Sequence, residues 1–197
     1  MISLMKKLIL LFFTLCALQV SAQKFHFAPR IGMNIANVTN SDSDSRIGLN
    51  IGFAGEMVLT PKFSLESGLY YSMQGAKEDN IKLNIDYINL PILAKVYAYE
   101  GLNFFAGPQL SFKTSAKGKT GAVTVDMPSG LIKGFDTGLQ IGAGYQFDMG
   151  LQLSASYTYG LIGVMDLDKA KNITGGYVGD DENGNNSVFR INFGWRF

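Results

Sequence analysis

The chain has 197 residues and a formal charge of +1 with histidine neutral; 47% of it is hydrophobic and it carries 23 glycines. Its 17 basic residues are scattered among 16 acidic ones, which excludes the basic stripe of a nucleic-acid surface, so no nucleic-acid partner is expected. A single cysteine excludes a disulfide framework.

Residues 1–22 read as a secretory signal peptide. Lys6 and Lys7 precede an apolar run from Leu8 to Leu18, followed by the small-residue site Val20-Ser21-Ala22. The run falls short of the roughly 20 apolar residues of a membrane helix. Cleavage removes Lys6, Lys7 and Cys16, leaving a slightly acidic mature chain, 23–197, without thiol chemistry. Leu15 before Cys16 does not suit lipid attachment. The remaining length fits one domain.

From here period-2 alternation governs. The first strand sets Phe25, Phe27, Ile31, Met33 and Ile35 against His26, Ala28, Arg30, Gly32 and Asn34. The second sets Ile47, Leu49, Ile51, Phe53, Met57 and Leu59 against Gly48, Asn50, Gly52, Ala54 and Glu56. In the third, Phe63, Leu65, Leu69, Tyr71 and Met73 oppose Ser64, Glu66, Gly68, Ser72 and Gln74, with Tyr70 a bulky exception. The fourth, Ile81 to Tyr99, changes phase: Leu83, Ile85 and Tyr87 share one parity, and Ile88, Leu90, Ile92, Ala94 and Val96 the other. A bulge between Tyr87 and Pro91, or a break into two short strands, would reconcile them, and Pro91, which cannot donate to a ladder, favours the bulge. The fifth sets Phe104, Ala106, Leu110 and Phe112 against Gly107, Gln109, Ser111 and Lys113. The last three run over 135–147, 151–160 and 189–197, the final one alternating Phe189, Ile191, Phe193, Trp195 and Phe197 with Arg190, Asn192, Gly194 and Arg196.

Eight such segments are joined by tight turns at Thr60 to Lys62, Tyr99 to Leu102 and Asp148 to Gly150. These alternate with longer polar links at Val38 to Ser45, Ala76 to Asn80, Ser115 to Leu131 and Leu161 to Ser187. An even strand count with short turns at one end is the layout of an eight-stranded antiparallel up-and-down transmembrane β-barrel, both termini on the periplasmic side. In a soluble lipid-binding barrel the apolar face would point inward. Here the polar parity is rich in small residues, as a crowded interior requires. Aromatics cluster near the strand ends in two rows, Phe25, Phe63, Phe104, Phe147 and Trp195 at one end and Tyr71, Phe112, Phe135, Tyr157 and Phe189 at the other, like interfacial girdles.

An eight-stranded lumen is just wide enough to be filled by side chains. Its candidates Arg30, Glu56, Glu66, Lys95, Lys113, Asp136, Arg190 and Arg196 read as a structural charge network, with the glutamates pairing to Arg30 or Arg190. Glu56 and Glu66 lack a flanking cleft for acid–base work, and His26, the lone histidine, lies at the wrong end for an outer-leaflet hydrolase. No catalytic residue, cofactor or metal ligand is expected. Gly179 to Gly184 is acidic without the ligand order of a calcium loop, and Gly142-Ala143-Gly144 opens no helix and is no dinucleotide fingerprint.

Tyr87-Ile-Asn-Leu-Pro-Ile-Leu-Ala-Lys-Val-Tyr97, Phe105-Ala-Gly-Pro-Gln109, Gly138-Leu-Gln-Ile-Gly-Ala-Gly-Tyr145 and Phe193-Gly-Trp-Arg-Phe197 resemble the PorT-type outer-membrane β-barrel domain of Bacteroidetes. The resemblance spans nearly the whole mature chain and implies an outer-membrane location, lipid around the wall and an envelope or secretion complex as partner. The terminal aromatics Trp195 and Phe197 also look like the signal read by the barrel-assembly machinery. The expected function is that of a non-enzymatic integral barrel whose loops contact a partner. The alternatives are a narrow gated channel or sensor, and a soluble periplasmic lipid-binding barrel.

Overall fold

The computed structural model describes residues 24–39, 44–78, 81–120, 123–127, 131–174 and 184–197. The signal expected at 1–22 and the acidic residues Asp180, Asp181 and Glu182 lie outside them. In chain order the elements are β1 (Lys24–Val38), β2 (Asp44–Thr60), β3 (Phe63–Glu78), β4 (Ile81–Tyr99), β5 (Leu102–Thr120), β6 (Val123–Asp126), β7 (Phe135–Gln146), β8 (Leu151–Gly163), the helix α1 (Leu167–Thr174) and β9 (Asn185–Trp195).

Every pairing is antiparallel. Each strand joins its chain neighbour, β5 passes over β6 to β7, and β9 returns to β1, so eight strands close a ring. The short β6 pairs with β5 alone and stands outside the ring. Closure leaves the wall without an unpaired edge, the condition for spanning hydrocarbon with strands.

The alternation points the oily parity outward. Along β9, Phe189, Phe193 and Trp195 are exposed while Val188, Arg190 and Asn192 are buried. The same holds for Phe25, Ile31, Leu139 and Ile141 against Asn34, Ser72, Gln140 and Ser156. This is a soluble protein turned inside out, and it rules out the soluble lipid-binding barrel: apolar side chains that should line a cavity form the outer surface.

Tight turns close one end. At Glu100 and Gly101 both φ angles are positive, 39° and 86°, the conformation in which a two-residue hairpin turn follows the strand twist and which glycine adopts without strain. The other end departs from the expected loops. β3 runs to Glu78 and β4 starts at Ile81, so Ala76 to Glu78, expected as part of a loop, is strand. Ser115 to Leu131 contains the continuation of β5 and the β6 hairpin, and Leu161 to Ser187 contains α1.

β4 also corrects the phase reading. Its odd positions stay inward throughout, from Ile85 and Tyr87 to Asn89, Leu93 and Lys95. The one irregularity there, where Asp86 pairs with Ser115 and Tyr87 with Lys113, places the extra residue, Thr114, on β5. The strand does not flip; the lumen changes character. Ile85, Tyr87, Ile132 and Val164 form a buried apolar cluster at the outer end, with Val38, Leu83, Ala116 and Met165 packed against it.

Candidate functional site: the barrel lumen

The inner half of the lumen is built on a cross-strand clash. The register of β2 and β3 sets Glu56 directly opposite Glu66, and like charges in that position repel. Two cations from flanking strands resolve it. Arg30 of β1 grips Glu66 with both guanidinium nitrogens, Nη1 to Oε1 at 2.6 Å and Nη2 to Oε2 at 2.8 Å, the fork geometry that gives such pairs direction as well as strength. Lys95 of β4 donates to Glu66 and lies 3.5 Å from Glu56 Oε2.

Most of the remaining lone pairs and donors of the four are used. Glu56 Oε1 accepts from Ser64 Oγ at 2.6 Å and from the Tyr97 hydroxyl at 2.7 Å, while Arg196 stands 3.9 Å from Oε2. Arg30 donates to Gln152 Oε1 from Nε (3.1 Å) and Nη2 (2.9 Å), and Gln152 passes the chain to Gln146 at 2.6 Å. Hydrogen bonds on Arg30, Glu56, Glu66 and Lys95 are what make these buried charges tolerable.

Small residues make this arrangement fit. Arg30 is paired with Gly52 on one side and Gly194 on the other, and a Cβ on Gly194 would come within 2.7 Å of the Arg30 Cγ. Tyr70, the bulky exception of β3, lies buried over Gly52 and Gly68, whose added Cβ atoms would reach its ring at 2.8 and 2.7 Å. Its hydroxyl accepts from Arg30 Nη1 at 3.3 Å.

Of the eight candidate lumen residues the structure thus brings together Arg30, Glu56, Glu66, Lys95 and Arg196, and leaves Lys113, which donates to the Ile132 carbonyl, Asp136 and Arg190 apart. Arg190 pairs with neither glutamate; its Nη1 donates to Gln109 Oε1 at 2.7 Å and Thr158 Oγ1 at 3.2 Å. Asp136 is buried near the start of β7, with Oδ1 unpartnered among the described residues. Trp195 and Phe197 both lie on the outer face, and Phe197 is tied back to β1 by its N–H to Phe27 O and by the His26 Nδ1 contact at 2.9 Å to its carbonyl oxygen.

Sequence reasoning missed Tyr70, Tyr97 and Gln152 as partners in the network, and it missed the apolar outer cluster. The cluster did leave a signal: the odd-parity run Leu83, Ile85, Tyr87 on a strand whose odd positions later carry Asn89 and Lys95.

A closed eight-stranded wall, apolar outside and polar inside, defines the small outer-membrane β-barrels. A family model described as "Outer membrane protein beta-barrel domain" matches residues 20–166, and the chain belongs to that family. No protein of curated function matches it. Among solved structures it is similar to Neisserial surface protein A (NspA), at 13% identity and TM-score 0.57, covering 89% of this chain and 99% of that one. The attachment invasion locus protein Ail of Yersinia pestis is also similar, at 14% identity and TM-score 0.49, with 89% and 98% covered. At these identities the likeness to NspA establishes the fold.

Proposed function

We propose that this outer-membrane barrel is a non-enzymatic, non-conducting docking protein of the PorT type, which engages an envelope or secretion complex through its outer end. The observation that carries the reading is the unequal height of the wall. A strand needs about 9–11 residues to span the membrane, and β2 to β5 have 17, 16, 19 and 19 against 12, 13 and 11 in β7 to β9. Since the turns at the other end are tight, the surplus raises one side of the outer rim, and this side also carries β6. A rigid scaffold holding a raised, polar segment such as Lys117-Gly118-Lys119 away from lipid suits contact with another macromolecule.

Two features support a body that does not conduct: the charge network across the inner half of the lumen and the apolar cluster at its outer end. The barrel-assembly machinery is the proposed reader of Trp195 and Phe197. The test replaces residues 116–127 by a two-residue turn in the protein expressed in its own envelope. Folding and membrane retention should persist while in-cell crosslinks to envelope proteins, formed from a photoreactive residue placed at Thr114, disappear. Crosslinks unchanged in partner and yield would refute the docking role.

A further inference from the structure

One buried lumenal cation is left out of the ion pairs. Arg190 is 4% exposed, and beyond the two bonds from Nη1 its Nε and Nη2 meet no acceptor among the described residues. The lumenal glutamates are held by Arg30, Lys95 and Arg196, and no described carboxylate forms an ion pair with Arg190. A guanidinium does not shed its proton, so burial cannot be relieved by neutralisation, and an uncompensated charge in the interior is strongly unfavourable.

Arg190 borders a cavity of about 20 Å³ together with Arg30, Tyr70, Asn89, Gln140 and Asn50. Several of these carry polar atoms with no partner among the described residues: both side-chain heteroatoms of Asn89, Oδ1 of Asn50 and Oε1 of Gln140. Tyr70 accepts from Arg30 and keeps a hydroxyl proton to give. Around the cavity, then, stand the Nε and Nη2 donors of Arg190, the Nδ2 donor of Asn89 and the Tyr70 hydroxyl. Glu66 also lines the cavity, and its carboxylate is gripped by Arg30 and Lys95.

We propose that this cavity binds one monatomic anion of halide size, held by the free edge of the Arg190 guanidinium with the Asn89 amide and the Tyr70 hydroxyl. The volume suits a single water-sized particle and is too small for sulfate or a carboxylate. Arg30 and Lys95 together outweigh the Glu66 charge, and the unpaired Arg190 guanidinium leaves the cavity positive, which excludes a cation. Water would satisfy the donors without supplying the missing charge. The site lies inside the wall and goes beyond the docking role, since neither depends on the other.

The test uses the full mature barrel refolded in detergent, titrated with bromide against gluconate at constant ionic strength, and crystals grown in bromide. The unfolding midpoint should rise saturably with bromide, and an anomalous peak should stand beside Arg190. Arg190→Gln should abolish both, and Asn89→Leu, which keeps the charge, should weaken the apparent affinity at least tenfold. Should Arg190→Gln fail to refold, Asn89→Leu and the anomalous map decide. No saturable response, a response unchanged in Asn89→Leu, or water-like density without an anomalous signal would overturn the site.

Discussion

At the scale of single residues, the lumen is governed by who neutralises whom. Glu66 alone accepts from both Arg30 and Lys95, so Glu66→Ala leaves two buried cations short of their counter-charge. It should cost about 3–5 kcal/mol in the urea unfolding of the detergent-refolded barrel, the usual penalty for breaking a buried pair. Glu56→Gln keeps an acceptor for the hydroxyls of Ser64 and Tyr97 and should cost less, about 1–3 kcal/mol on the same assay. Equal losses in the two variants would mean that the network is not centred on Glu66. Packing is as tight as the charges: a Cβ on Gly142 would meet the buried Phe105 ring at 2.5 Å and the Ala155 carbonyl at 2.6 Å. Gly142→Leu should therefore destabilise by about 1–3 kcal/mol, the cost of overpacking.

That the lumen would hold Arg30, Glu56, Glu66 and Lys95 was legible in the sequence, because side-chain period fixes parity. Which cation meets which glutamate was not. The choice of Arg30 over Arg190 depends on the stagger of strands around the ring: Arg30 stands level with Gly194, four residues along β9 from Arg190. No alternation pattern within one strand carries that offset.

At the scale of elements, each strand presents one solvent to each face. Ile141 lies at the middle of the outer row of β7, is 61% exposed, and has Phe135 and Tyr145 toward its two ends. Ile141→Arg should destabilise the lipid-reconstituted barrel by about 2–4 kcal/mol, as a charge near the bilayer midplane does. If the loss were negligible, Ile141 would not face hydrocarbon. Ile85 on the inner face of β4 tests the opposite side: Ile85→Ala opens a void in the outer apolar cluster and should cost about 2–5 kcal/mol. β4 is also where sequence reasoning went astray. A lumen expected to be polar throughout made two apolar parities look like a bulge, whereas the strand keeps one parity inward from Ile85 to Lys95 and the interior itself passes from polar to apolar toward the outer mouth.

At the scale of the whole molecule, the even strand count, the antiparallel ring and the outward oily face could all be read from period and turn spacing. The raised outer rim could not. Ser115 to Leu131 and Ala76 to Asn80 are rich in Lys, Gly, Ser and Asp, a composition that reads as loop, yet much of both is paired strand. Cross-strand hydrogen bonds hold these stretches where intrinsic propensity would not. The finished body is a wall around a filled interior: ion pairs close its inner half and an apolar cluster its outer end.

Current across a planar bilayer containing the refolded protein, with insertion verified by heat-modifiable migration, tests that central claim most directly. The expected result is no steady ion conductance above that of the bare bilayer at either polarity. A reproducible open-channel conductance from correctly folded barrels would contradict it, because ions would then be crossing both the Arg30–Glu66–Lys95 layer and the cluster around Tyr87.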